Sequence, residues 1–132
     1  MTMRLSPKLL LVEDNRLLRW WMTSSLTQEG FEVTALESMD DFRRLPPGKS
    51  FDVLVTDWRL ADGYLGTDVL ALARERYPEI IAVLMSAEAG EQLAAEARRA
   101  GFDLVLAKPV PSADMIEAVY SVTARHAAGV AS

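Results

Sequence analysis

Five short apolar runs punctuate the chain, at Lys8–Val12, Phe31–Leu36, Phe51–Val55, Ile80–Met85 and Phe102–Ala107, and longer polar-rich stretches separate them. The runs are too short for buried helices, are rich in Val, Leu and Ile, and are bounded by polar or Gly/Pro positions. They read as strands. The first, third and fourth are almost continuously apolar, as central strands of a parallel sheet must be when both faces are covered.

The stretches between them carry helical periodicity. Asn15 to Glu29 places Leu18, Trp21, Met22, Ser25 and Leu26 on one face and ends at Gly30. Thr67 to Tyr77 carries Val69, Leu70, Ala73 and Tyr77 and stops at Pro78. Ala89 to Ala100 ends in Arg98-Arg99-Ala100-Gly101, with basic residues in the last turn and glycine after it. Ser112 is expected to cap a final helix running to about His126, with Met115, Ile116, Val119, Tyr120 and Val122 as its apolar set. Met39–Leu45, closed by Pro46-Pro47-Gly48, reads as a short helix. Five strands alternating with five helices imply an α/β doubly wound fold, a three-layer sandwich with right-handed crossovers.

Composition narrows the chemistry. The 132 residues suit one domain, expected to span 1–132 with its core at about 8–126. No cysteine is present, which excludes disulfides, thiolate metal sites and thiol catalysis. The lone histidine, His126, reads as a tail residue near a helix C-terminus with no metal role. With 14 basic against 19 acidic side chains the net charge is -5, which argues against direct nucleic-acid binding. No apolar run is long enough to span a bilayer, and Met1–Pro7 lacks the apolar stretch of a signal peptide, so a cytoplasmic location is expected.

In a doubly wound fold, ligands bind at the carboxyl ends of the strands. The residues just after the runs are Glu13-Asp14, Asp57, Ser86 and Lys108-Pro109, with Glu37 a less persuasive fifth. A single Asp after a strand is commonly a turn or cap residue. Chance rarely assembles the whole set at one rim. Three crowded carboxylates raise each other's pKa or require a cation, and Mg²⁺ with its oxygen ligands fits. Lys108 supplies a compact positive charge and Ser86 a hydroxyl, which suits phosphoryl transfer to a carboxylate nucleophile.

The motifs Leu9-Leu10-Leu11-Val12-Glu13-Asp14-Asn15, Val53-Leu54-Val55-Thr56-Asp57-Trp58-Arg59-Leu60, Val83-Leu84-Met85-Ser86-Ala87 and Ala107-Lys108-Pro109, with Gly30, Asp62-Gly63 and Gly101, resemble the receiver domain of bacterial two-component response regulators. The resemblance covers about residues 8–126 and implies a flavodoxin-like strand order 2-1-3-4-5. It implies that Asp57 is the phosphoacceptor and that Asp14 and Asp57 contact Mg²⁺, with Glu13 acting through water and Arg59 through its backbone carbonyl. Ser86, Ala87 and Lys108 would bind the phosphoryl group, with Trp58, Arg59 and Glu88 flanking the pocket. The implied donor is a phosphohistidine on a sensor histidine kinase or histidine phosphotransfer protein. The implied target is a downstream effector domain or protein, and a homodimer remains open. The resemblance implies no enzyme beyond the domain's own phosphorylation and dephosphorylation. Only Ala127–Ser132 follow the last predicted helix, so the output is expected elsewhere, in a partner or in a longer regulator or hybrid kinase.

Some positions depart from that pattern or leave two readings open. Val105 stands where many receivers carry an aromatic switch residue, so the readout is expected to be muted or to run through backbone shifts. Ala61 replaces a frequent proline, and the loop through Gly66 is expected to be longer and more flexible. Gly63-x-x-Gly66-x-Asp68 lacks the spacing of a phosphate loop. Arg59 and Glu88 either pair over the pocket mouth or stand as solvated charges. Trp21 is placed on the apolar stripe, whereas Trp20 is either a half-buried packing aromatic or, with Asn15, part of a kinase-docking surface. Two other functions compete. A haloacid-dehalogenase-type phosphohydrolase would need an acid where Arg59 stands, and a degenerate receiver would act as a phosphorylation-independent interaction module.

Overall fold

The computed structural model describes residues 6–88, 90–108 and 110–131, and the side chains of Ser112 and residues 125–131 fall outside the description. Along the chain come β1 (Lys8–Val12), α1 (Arg16–Gln28), β2 (Glu32–Leu36), α2 (Met39–Arg43) and β3 (Val53–Asp57). Then follow α3 (Gly66–Arg76), β4 (Ile81–Ser86), α4 (Glu91–Ala100), β5 (Leu104–Ala107) and α5 (Ser112–Ala131). The strands form one parallel sheet in the order β2-β1-β3-β4-β5.

Alternate residues of the central strands feed two cores, which is why these runs show no polar face. Leu10, Leu54, Ala82 and Leu84 point toward Phe42 of α2, Val69, Leu70 and Ala73 of α3, and Ala97 of α4. Leu9, Leu11, Val53, Val55 and Val83 point the other way, toward Met22 and Leu26 of α1 and Met115 and Val119 of α5. Each fully buried Leu or Val stabilises the fold by roughly 1.5–3 kcal/mol over an exposed position.

Local signals set the element ends. Asn15 is the N-cap of α1, its side chain accepting from the Leu18 amide at 2.9 Å. Helix α1 closes through Gly30, at φ +98, with the Phe31 amide reaching back to the Leu26 carbonyl at 3.1 Å.

Several expected boundaries move. Strand β3 runs to Asp57 and β4 to Ser86, so both residues occupy the last strand position rather than the one after it. Ser112 is the first residue of α5 rather than its cap, because the Met115 amide bonds the carbonyl of Pro111. The helix also continues past His126 to Ala131. Pro109, Ala89 and the side chain of His126 lie outside the described residues. Trp21, expected on the buried stripe, is 37% exposed, and Tyr120 is 42% exposed. Tyr120 nevertheless stacks on Phe31 and donates its hydroxyl to the Glu29 carbonyl, tying α5 to the end of α1.

The β3–α3 loop is also more constrained than expected. Gly63 donates to the Leu60 carbonyl at 3.1 Å, and Leu60 donates to that of Tyr64 at 3.0 Å. Asp62 Oδ2 accepts from the amide of Met39 in α2. Arg43 of α2 donates to the Tyr64 hydroxyl and lies over its ring.

Candidate functional site

Parallel pairing brings the ends of β1, β3, β4 and β5 to one rim, and with them Glu13, Asp14, Asp57, Ser86 and Lys108. Asp57 is 3% exposed and Glu13 0%, so both carboxyls have left bulk water. Lys108 Nζ donates to Glu13 Oε1 at 2.9 Å and makes an ion pair with Asp57 Oδ1. The other Glu13 oxygen accepts from the Asn15 amide at 3.0 Å. The Lys108 amide bonds the Ser86 carbonyl at 2.8 Å, which fixes where the lysine leaves the sheet edge. Ser86 Oγ accepts from the Glu88 amide at 3.0 Å.

Burial and charge set the ionisation. Burial, reinforced by the Glu13 carboxyl, raises Asp57 to about 8 despite Lys108. Burial also pushes Glu13 upward, but the neighbouring Asp57 carboxyl, the Asn15 amide and Lys108 together prevail, and its net shift is downward. Asp14 is raised, by burial first and then by Glu13. Lys108 is raised because its two carboxylate partners outweigh its own desolvation.

The residues present fit a hard divalent cation. One oxygen from each of Glu13, Asp14 and Asp57 lies within 4.8 Å of the others. Asp57 Oδ1 meets Lys108 without hydrogen-bond geometry, and Oδ2 has no hydrogen-bond partner among the described residues. A buried carboxylate in that state is an oxygen donor in want of a cation.

Above these groups lies a cavity of about 120 Å³, floored by Asp57 and Met85 and walled by Asp14, Ser86 and Lys108. That volume holds a few water-sized groups and is well below the few hundred Å³ of an organic-substrate pocket. Arg59 and Glu88 meet at its mouth through a hydrogen-bonded ion pair, which selects the paired reading over separate solvated charges. Ala87 is exposed on the wall, while Trp58 reaches the cavity from the core and is only 6% exposed. Val105 is half-buried and packs into the core on the α2–α3–α4 side, as an ordinary strand residue would.

Other expected residues lie away from the cavity. Glu37 is exposed and faces Arg19 at 4.0 Å. Trp20 is 68% exposed, which overturns its half-buried packing reading and leaves it free to meet a partner. Asn15 spends its side chain capping α1.

Two residues were missed. Arg19 donates to the Glu13 carbonyl at 2.8 Å and to that of Asp14 at 3.4 Å, anchoring the backbone of the acid pair. Nothing in helical periodicity marks it. Gly66 packs the start of α3 so tightly that an added Cβ would lie 2.6 Å from the Asp57 carbonyl oxygen and 2.9 Å from Leu84 Cδ1. Its amide bonds the Trp58 carbonyl at 2.7 Å. The available signal was a glycine at the start of a helical pattern, where close backbone approach is a standing explanation.

Residues 9–120 match the model of the response regulator receiver domain. The chain belongs to that family. Two relatives from Pseudomonas aeruginosa show how far the likeness extends. The chain is 33% identical to the response regulator protein FleR over 125 residues, which cover 95% of this chain and 25% of that protein. It is also 33% identical to the chemotaxis protein CheY over 122 residues, covering 89% of this chain and 97% of that one. This receiver therefore spans about a quarter of FleR and nearly all of CheY. Among solved structures, a receiver domain protein from Methanospirillum hungatei superposes with TM-score 0.84 at 21% identity, covering 94% and 98% of the two chains. A receiver protein from Sinorhizobium medicae does so with TM-score 0.78 at 33% identity, covering 92% and 97%. The relatives are regulators, which sets the receiver apart from the competing phosphohydrolase reading.

Proposed function

We propose that this receiver is a phosphorylatable switch that accepts a phosphoryl group on Asp57 from a phosphohistidine of a sensor histidine kinase or phosphotransfer protein. The observation that carries this reading is the Asp57 carboxylate itself, which is buried, has an oxygen without a hydrogen-bond partner among the described residues, and lies between Lys108 and the Glu13–Asp14 pair.

In the reaction an Asp57 oxygen attacks phosphorus, the phosphorus–nitrogen bond breaks, and its electron pair leaves with the donor imidazole. Lys108 holds an oxygen of the arriving group and offsets its charge. Ser86, freed from the Glu88 amide, turns its hydroxyl toward another. Mg²⁺, when bound, neutralises charge on the acids and on the phosphoryl oxygens. Asp14, Asp57 and the Arg59 carbonyl would hold it, with Glu13 one water away. The cavity is small, with room for a phosphoryl group and few waters beside it.

A second feature supports a helical protein donor. Beside the cavity an apolar groove of about 500 Å³ is lined by Leu18, Trp21, Met22, Val110 and Met115. Leu17 and Trp20 stand exposed on the same helix, α1. A helix laid in this groove would bring its histidine to Asp57. Residues 1–132 act as one receiver domain, in the cytoplasm, and pass the signal to an effector domain or protein.

Incubation with a radiolabelled phosphohistidine donor and Mg²⁺ tests the reading. Alkali-labile label on the wild type and none on Asp57→Asn is expected; equal labelling of both would refute it.

A further inference from the structure

Arg59 and Glu88 stand on different loops, after β3 and β4, and meet over the floor where Asp57 lies. Their side chains are 66% and 49% exposed. An ion pair so exposed is weak and opens readily. Glu88 offers Arg59 one charge, already solvated. A phosphoryl group on Asp57 would offer nearly two charges and three acceptor oxygens inside the same cavity, and arginine matches such a group with two parallel donors. Lys108, the other cation lining this cavity, already faces Glu13 and Asp57, so it offsets only part of the charge that a phosphoryl group adds.

Resting on the phosphoacceptor reading, we propose that Arg59 exchanges partners. It holds Glu88 while Asp57 is unmodified and turns to the phosphoryl oxygens once Asp57 is phosphorylated. Two consequences follow. Arg59 becomes a phosphoryl-retaining residue, slowing the hydrolysis in which water adds to phosphorus. In that step the Asp57 oxygen–phosphorus bond breaks, the carboxylate is regenerated, and dihydrogen phosphate leaves with the water's protons. Glu88 is also released at the head of α4. That helix has no side-chain cap, and the loop leading to it is tied back by the Glu88–Arg59 pair and by the Glu88 amide on Ser86 Oγ. Phosphorylation draws on both ties together. The switch thereby reaches α4 without an aromatic at Val105.

The test compares phosphoryl lifetimes after acetyl phosphate loading in the wild type, Arg59→Ala, Glu88→Gln and the double variant. Exchange predicts that Arg59→Ala shortens the lifetime on the order of tenfold, as loss of one charge-assisted contact does. Glu88→Gln lengthens it about two- to threefold, since the competing anion is gone, and the double variant behaves as Arg59→Ala. A fixed Arg59–Glu88 lid predicts that Glu88→Gln shortens the lifetime, and two independent surface charges predict no change in either; both results overturn the exchange. The second readout is the Arg59 Nε–Hε signal on addition of Mg²⁺ and beryllofluoride. It should move in the wild type; an adduct on Asp57 with an unmoved signal overturns the exchange alone, and failure to form any adduct overturns the phosphoacceptor reading with it.

Discussion

Lys108 Nζ donates to Glu13 Oε1 across 2.9 Å, joining the end of the last strand to the end of the first over the Asp57 carboxylate that lies between them. One ammonium thus offsets two buried acids. Lys108→Ala is expected to abolish phosphorylation. Above pH 8, where Asp57 and Glu13 of the wild type are both charged against Lys108, it should destabilise the metal-free protein by about 3 kcal/mol, the cost of leaving Glu13 unpaired and of either stranding or reprotonating Asp57. At pH 5 the loss should be smaller, because Asp57 is then protonated. Urea unfolding at the two pH values measures the difference.

The raised pKa of Asp57 makes stability depend on pH with a definite sign. Its folded value of about 8 exceeds the ordinary 3.8, so the folded state holds the proton more tightly. The contribution is full below about pH 4, declines as pH rises and is exhausted above about 8. Asp57→Asn should therefore be more stable than the metal-free wild type at pH 7–8, by on the order of 1–3 kcal/mol, with the gap closing near pH 4. Glu13 is shifted the opposite way, and its own contribution is lost only as the solution becomes acidic. Mg²⁺ favours the charged carboxylates, so it should raise the wild-type Tm more at pH 8 than at pH 6, and raise that of Asp57→Asn less at either pH. Calorimetric melts with and without the ion decide this.

Gly66→Ala should destabilise the fold by about 1–3 kcal/mol, because the new Cβ would meet the Asp57 carbonyl and Leu84. The backbone carrying Asp57 must shift to accommodate it, so phosphorylation by acetyl phosphate should slow as well. Chemical denaturation and intact-protein mass measured against time supply both numbers.

Trp20 is 68% exposed, so Trp20→Ala should change stability by no more than about 0.5 kcal/mol. As a docking aromatic it should lower phosphotransfer from a histidine donor about tenfold. The loss should be much smaller with acetyl phosphate, and equal losses with both donors would place the defect in the site rather than at the interface.

The sheet and the acid–lysine rim were legible because the signals were physical and redundant. Runs such as Val53–Val55 and Ile81–Met85 can be buried on both faces only in a covered parallel sheet, and such a sheet gathers its strand ends at one edge. Periodicity gave the direction of α1 but not the width of its buried stripe. Trp21 consequently faces a groove rather than the core. The β3–α3 loop misled because its ties to α2, through Asp62 and Tyr64, are long-range and leave no local pattern. Arg19 was invisible for the same reason, and the glycine signal at Gly66 did not say which backbone it meets, since what each does depends on a backbone brought near by the fold.

Intact-protein and site-localised mass measurement after exposure to acetyl phosphate and Mg²⁺ tests the central claim most directly. A single alkali-labile phosphoryl group on Asp57, absent when Mg²⁺ is chelated and absent in Asp57→Asn, is the predicted result. An unmodified wild type, or a phosphoryl group that persists in Asp57→Asn, would contradict it.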